Sequence, residues 1–398
     1  MSLLELLADR AAWERFYEYK TSLVCPKDFA AELRAFIDDA AYLPVCEAIR
    51  RGDPFPLPRK AVINKLDSLR RRVVFVYPQA ESTVLKLLTW LLLRKYDRLF
   101  SPNLYSFRPG RTAKDAVRAL TRSPGIRDMW SYKTDISDYF NSSPVEKLLP
   151  QLTELFAGDP ALLTFLRALL EEPAVLERGQ PVTETKGIMA GTPLSAFYAN
   201  LYLRELDRHF AETGVLYARY SDDIILFSPR REETEAHAAF LREELEQRGL
   251  RLNPAKERYA APGESWVFLG FQFRDGIIDI APATVTKLKQ KMRRKTRALL
   301  RWRKRGGFSG EKAAAAFIRV FKRKLLESPG DNELSWSHWF FPVITTSDSL
   351  RIIDRYAQDC LRCLLSGTRS KGRYRFRYED LKALGYRSLV HAYYSRDY

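Results

Sequence analysis

Apolar positions recur at helical spacing through the first fifty residues, and the prolines of "PFPLPRK" from Pro54 then favour an extended connection, so helices are expected over residues 1 to about 53. The basic stretch "NKLDSLRRR" turns after Arg72 into the strand-like "VVFVYP". "VLKLLTWLLLRKY" from Val84 is the most apolar run, but it is short and interrupted by Lys86, which predicts a buried helix rather than a membrane span. "SPNLYSFRPGRTAKDAV" from Ser101 reads as a Pro, Gly and Arg loop entering another helix.

"WSYKTDISDYFNSS" has a period of two, with Trp130, Tyr132, Thr134 and Ile136 on one face and Ser131, Lys133 and Asp135 on the other. A carboxylate therefore projects from the polar face near the end of a strand. Helix is expected from Pro144 to Glu172, then a hairpin in "AVLERGQPVTETKG" turning at Gly179 and Gln180. "GTPLSAFYANLYLRELDRHF" opens with helix-entry chemistry and continues with helical spacing.

"YARYSDDIILFS" divides into two strands, Tyr217 to Tyr220 and Ile224 to Phe227, joined at "SDD". A Glu- and Arg-rich helix follows through Arg248, then a short strand pair around "WVFLGFQF". Beyond Ala281 the pattern is helical and basic. In "TVTKLKQKMRRKTRALLRWRKRGG", Val285, Leu288, Met292 and Leu299 fall toward one side and Lys and Arg cover the rest.

Charge adds a partner class. Lys and Arg outnumber Asp and Glu by 66 to 49 among 398 residues, which favours a polyanion such as nucleic acid or an acidic membrane. The start "MSLLELLADR" lacks the basic and uninterrupted apolar regions of a secretory signal, and four scattered cysteines suit a reducing cytosol, so a cytoplasmic protein without membrane partners is expected. Cys360 and Cys363 form a CxxC on an expected helix, read as packing residues rather than a zinc site. His209, His237, His338 and His391 are dispersed, and none is assigned to a metal.

Adjacent acids at a hairpin tip are, alone, equally well a solvated turn. Asp135 changes the weighing, because Asp135 and Asp222 together could hold two divalent ions about 3.5–4 Å apart, an arrangement suited to phosphoryl transfer.

The ordered set "DISDYF", "GTPLSAFYANLYL", "YSDD", "LNPAKERY" and "FLGF" resembles the palm motifs of reverse transcriptases, and "SFRPGRTAKDAV" is similar to a segment of group II intron enzymes and their bacterial relatives. The resemblance implies an α+β right-hand polymerase with fingers, an antiparallel-sheet palm and a helical thumb. Its parts would be an N-terminal helical extension at 1–59, fingers at 60–129 and a palm at 130–280. A fingers insertion at about 144–186 and a basic thumb with a C-terminal RNA-binding region at 281–398 complete it.

Asp135, Asp222 and Asp223 would then be catalytic and hold two Mg2+ ions (Mn2+ as the alternative) together with Ile136, and Lys256 would protonate departing pyrophosphate. Lys65, Arg71, Arg72, Phe140, Gly191 and Thr192 would bind the nucleotide, with Phe140 as an aromatic gate against ribose. Pro193, Ser195, Phe268, Leu269, Gly270, Phe271, Arg293, Arg294 and Arg297 would meet primer and template, Gly270 by close backbone approach. "MAG", residues 189–191, stands where intron enzymes commonly have "PQG", which puts the template contact in question.

The function so implied is an RNA-directed DNA polymerase taking deoxynucleotides, a template or scaffold RNA and a DNA product. With no nuclease module seen after the thumb, the chain is most like the stand-alone, defence-associated (unknown-group) enzymes that work with a non-coding RNA. The alternatives are template-independent synthesis at the same site, and a group II intron-type maturase or RNA-binding scaffold that needs no catalysis. A homo-oligomer is left open.

Overall fold

The structure, a computed structural model, describes residues 2–23, 27–64, 71–327 and 335–396. The chain forms two compact units, chiefly residues 28–263 with the N-terminal 1–23, and residues 264–398.

The first unit begins with helices α1 (Leu3–Leu6), α2 (Arg10–Ser22), α3 (Lys27–Asp38) and α4 (Leu43–Arg51). Trp13, Phe16, Ile37 and Tyr42 from this set share one buried core with Val84, Leu88 and Leu92 of α5 (Gln79–Lys95). Between them lie strands β1 (Arg59–Asn64) and β2 (Arg71–Val76), which pair antiparallel. β1 was not expected from the sequence, where "PLPRK" reads only as a linker.

Helix α6 (Ala113–Thr121) starts at a reciprocal cap, Thr112 accepting from the Asp115 N–H and Asp115 from that of Thr112. Next come β3 (Trp130–Asp135) and the single turn α7 (Tyr139–Ser142). The expected long helix from Pro144 is two, α8 (Val145–Leu155) and α9 (Pro160–Glu171), because Asp159 caps a new helix whose first residue is Pro160.

The hairpin β4 (Ala174–Glu177) and β5 (Gln180–Thr183) joins β1 and β2 in a sheet ordered β2-β1-β4-β5. Its turn is Arg178–Gly179, one residue earlier than expected, since both residues take positive φ (52° and 84°) as a two-residue hairpin turn requires.

α10 (Ser195–Tyr202) and α11 (Arg204–Glu212) lead into β6 (Leu216–Tyr220) and β7 (Asp223–Ser228), followed by α12 (Arg231–Gln247) and β8 (Arg258–Ala260). β6, β7, β3 and β8 form an antiparallel sheet in the order β6-β7-β3-β8, with α12 packed on β3 and β7. β3 is therefore a central strand, and its polar face is not solvated as alternation suggested: Ser131 and Asp135 are buried along with Tyr132 and Thr134.

The second unit opens with three strands rather than the expected pair, β9 (Trp266–Phe268), β10 (Phe271–Arg274) and β11 (Ile277–Ile280), ordered β11-β10-β9. Seven-turn α13 (Pro282–Gly306) then packs with α14 (Gly310–Leu325) and α16 (Asp348–Ser366). Short α15 (Trp336–Phe340), α17 (Tyr378–Ala383) and α18 (Leu389–Ser395) complete the unit. The fold is α+β, as the resemblance implied. No helix among the described residues is long and apolar enough to cross a membrane.

Candidate active site

The β3–β7 ladder decides which acids meet. Asp135 pairs directly with Asp223, so their side chains leave the same face of the sheet with Cβ atoms about 4.5–5.5 Å apart. One step further, the Ile136 N–H donates to the Asp222 carbonyl at 3.0 Å. On the other edge, the Asn253 N–H donates to the Asp135 carbonyl (2.9 Å) and the Ser137 N–H to that of Arg251 (2.8 Å), laying "LNPAK" beside the acids. Neither bond of that bridge uses the Ile136 carbonyl, the main-chain oxygen between the acidic strand end and the turn.

Two ammonium groups face this cluster. Lys256 Nζ lies 2.5 and 2.6 Å from the two carboxylate oxygens of Asp135, and Lys133 Nζ lies 2.8 Å from Asp223 Oδ1. The Asp222 carboxyl has its pKa raised, first by burial and then by the charges of Asp135 and Asp223. Among the described residues no group of three or more His, Cys, Asp or Glu side chains is arranged to hold a metal ion. The donor set nonetheless fits hard cations, since crowded and largely buried carboxylates gain from positive charge.

Asp222 is carried by a two-residue turn in which Ser221 takes φ 61°, a left-handed conformation that favours glycine. Both main-chain groups of Ser221 are held. Its N–H donates to Ser106 Oγ (2.9 Å), and its carbonyl accepts from Arg219 Nη1 (3.2 Å).

Arg219 is fully buried and forked onto Asp207 of α11, Nε to Oδ1 at 2.7 Å and Nη2 to Oδ2 at 2.5 Å, while the Tyr217 hydroxyl donates to the same Oδ1 at 2.9 Å. Burial disfavours the guanidinium charge, but Asp207 more than reverses this and leaves the Arg219 pKa raised. Removing one partner of such a pair costs about 3–5 kcal/mol, because the other is left charged and dry.

Ser106 is equally fixed. Its hydroxyl donates to Asn200 Oδ1 (3.3 Å), and Asn200 Nδ2 returns a bond to the Ser106 carbonyl (2.9 Å). Its loop runs along β6, with Arg219 N–H to Asn103 carbonyl and Tyr105 N–H to Arg219 carbonyl both 3.0 Å. Arg108 pins that loop through Asp97 (2.7 Å) and the Ser101 carbonyl (2.6 Å).

Sequence reasoning missed this support. The signal was an arginine in mid-strand, flanked at spacing two by Tyr217 and Ser221.

Phe140, Gly191 and Thr192, expected from the resemblance to bind the nucleotide, lie at a loop from Lys186 to Ser195. Gly187 takes φ 51°, and a Cβ there would stand 2.6 Å from the carbonyl oxygens of Phe140 and Asn141. Gly191 takes φ 96°, and a Cβ would stand 3.0 Å from Val74 Cβ. Phe75 N–H donates to the Ala190 carbonyl (2.7 Å), and Asn141 spans the gap by accepting from Ala190 N–H (3.1 Å) and donating to the Val73 carbonyl (3.2 Å). The loop is thus strapped to β2 and α7.

Half-buried Phe140 packs against Tyr139 and Phe107, with ring centroids 5.6 and 6.3 Å apart. Thr192 is buried, its hydroxyl donating to the Met189 carbonyl (3.0 Å), and buried Ser195 donates to the Thr192 carbonyl (2.7 Å) with Pro193 between them. Met189 itself takes φ 60°, which proline's fixed ring cannot adopt, so the "MAG" backbone departs from any path that "PQG" permits. Arg72 is exposed on β2 opposite Ile63, and Arg71 pairs with Asn64 at the strand end. Lys65 lies outside the described residues.

In the second unit, Phe268 and Phe271 face each other across the β9–β10 turn, which Leu269 and Gly270 make with φ 50° and 87°. Among protein atoms, a Cβ at Gly270 would meet nothing nearer than 3.6 Å. The left-handed turn is what favours glycine. Arg293, Arg294 and Arg297 are exposed on α13, whose Val285, Leu288, Met292, Thr296 and Leu299 are buried. Lys289 lies over the Tyr356 ring at 5.1 Å, and the charges of Arg293, Arg297 and Arg369 act on the Tyr356 phenol. Cys360 and Cys363 are free thiols.

The reverse transcriptase (RNA-dependent DNA polymerase) family matches residues 64–273, more than half of the chain. The chain belongs to the reverse transcriptase family. This reverse transcriptase is 24% identical over 182 residues to the group II intron-encoded protein LtrA of Lactococcus lactis subsp. cremoris, covering 46% of this chain and 30% of that protein. It is 28% identical over 150 residues to an uncharacterized 91 kDa protein in the cob intron of Schizosaccharomyces pombe, covering 37% of this chain and 18% of that one. The match thus spans less than a third of either relative. Among solved structures, apo telomerase from Candida tropicalis aligns at 12% identity with a TM-score of 0.48, over 83% of this chain and 62% of that one.

Proposed function

We propose that this reverse transcriptase is an RNA-directed DNA polymerase that extends a hydroxyl primer with deoxynucleotides. The observation that carries this reading is the register that pairs Asp135 with Asp223 and ties Ile136 to Asp222, bringing acids distant in sequence to one corner.

Asp135, Asp222 and the Ile136 carbonyl would hold two divalent cations, Mg2+ in the first instance, with Asp223 as the neighbouring acid. Such ions, when bound, lower the pKa of the attacking hydroxyl and take charge on the leaving pyrophosphate. The protein's own part is positional. Asp135 is anchored by a central strand, Asp222 by a braced turn, and Phe140 stands beside the strapped loop as the gate against a 2′-hydroxyl.

Lys256 has two mutually exclusive duties. Its ammonium now neutralises Asp135, and to protonate pyrophosphate it must leave that carboxylate for phosphate oxygens. Labelled deoxynucleotide incorporation tests the reading: loss with Asp222→Asn supports it, and undiminished synthesis refutes it.

The basic face of α13, with eleven Lys and Arg and no acid between Pro282 and Gly306, is the proposed track for primer, template or a structured RNA in a cytoplasmic setting. The finer reading is a stand-alone antiphage enzyme with a dedicated non-coding RNA, tested by sequencing copurified nucleic acid and by phage plating with Asp222→Asn. The left-handed Met189 and the small Ala190 favour one second reading, synthesis without a copied template, which product sequencing separates from the first.

A further inference from the structure

Beyond the groups that would touch metal or substrate, we propose that Ser106, Asn200, Asp207 and Arg219 are positioning residues that hold Ser221 in its left-handed conformation, so fixing the Asp222 carboxylate for divalent cations. The inference rests on the site assignment above.

Three observations carry it. First, a serine at φ 61° is strained unless its surroundings hold it, and here both of its peptide groups are tied to buried side chains. Second, those side chains come from separate places: Ser106 from the Arg108-pinned loop, Asn200 from α10, Asp207 from α11 and Arg219 from β6. Third, all four are fully buried and bonded to one another or to the turn.

A fully buried guanidinium is a costly way to stabilise a sheet. Apolar residues of similar volume serve a core equally well. What an apolar residue cannot supply is a directed donor to the Ser221 carbonyl. Asp207 serves that donor, because its two oxygens occupy Nε and Nη2 and leave Nη1 aimed at the turn. The motif "SFRPGR" divides its labour in the same way, Arg108 shaping the loop and Ser106 delivering one hydroxyl oxygen to the Ser221 N–H.

The test uses the full chain, with Mn2+ affinity read by electron paramagnetic resonance, thermal unfolding, and incorporation titrated against Mg2+ and deoxynucleotide. Ser106→Ala removes one hydroxyl and keeps the ion pair. It is expected to weaken Mn2+ binding about ten- to hundredfold, the usual cost of losing a residue that orients a ligand. It should also lower kcat with little change in deoxynucleotide KM.

Adding Ser221→Gly should restore much of the loss, because glycine occupies the left-handed region unaided. Asp207→Asn is expected to weaken binding further if it folds, and Ser106→Ala decides the matter if it does not. Unchanged Mn2+ affinity in folded Ser106→Ala overturns the proposal, as does wild-type protein that binds no Mn2+. Weakened Mn2+ binding in a chain that incorporates nothing would uphold the positioning role while removing the polymerase reading.

Discussion

The corner where β3 meets β7 and the long helix α13 treat charge in opposite ways. At the corner, Asp135 is 5% exposed, Arg219 and Asp207 are wholly buried, and Asp135, Asp223 and Arg219 each have a partner of opposite charge at hydrogen-bonding distance. Along α13 the cations share one sign and most are exposed, Arg293, Arg294 and Arg297 among them. Low dielectric makes the first arrangement strong and sensitive to an ångström, whereas water and salt make the second weak per contact and tolerant of sequence. One suits chemistry at fixed atoms, the other a polymer that must slide.

The difference can be broken first at the corner. Asp135→Asn or Asp222→Asn should reduce incorporation on the order of a thousandfold, since no exposed group can replace a buried ligand. Filter binding of RNA by the same variants should be unchanged, and a parallel loss of binding would erase the distinction.

Replacing Arg293, Arg294 and Arg297 together with Gln is the converse. RNA affinity should fall, and the slope of log affinity against log salt should shrink by about 2–3, with single-turnover chemistry preserved at saturating RNA.

Acid–base behaviour sharpens the contrast more gently. The raised pKa of Asp222 means that the folded, metal-free protein holds a proton that the unfolded chain releases near the ordinary aspartate value of 3.8. Its contribution to stability is thus complete below that value and is lost as pH rises through the folded value. In chelator, Tm should decline over that range for the wild type and stay flatter for Asp222→Asn, while added Mg2+ should reverse the decline. The smallest effect is expected in the basic half, where Cys363→Ser should leave activity unchanged and stability within about 0.5 kcal/mol, with no zinc released.

The sequence carried the parts of this molecule that depend on local pattern. Period two announced β3 and the β6–β7 hairpin, an apolar run announced α5, Glu- and Arg-rich composition α12 and helical spacing the buried stripe of α13, and motif order placed the acids. What was hidden depends on partners remote along the chain. β1 was unreadable because "RKAVIN" becomes a strand only by pairing with β2, and Ser131 looked solvated because nothing local reveals that β3 is central. Arg219 and Asp207 each resemble ordinary surface charges until the fold buries them together.

The strapped loop bears on anyone who would graft parts between relatives. Because Met189 turns left-handed while Gly187 and Gly191 press against neighbouring backbone, a single exchange toward "PQG" would fight a path fixed on both sides. Chimeras should therefore move the cassette from Lys186 to Ser195 together with Asn141, its tether, as one inheritable piece.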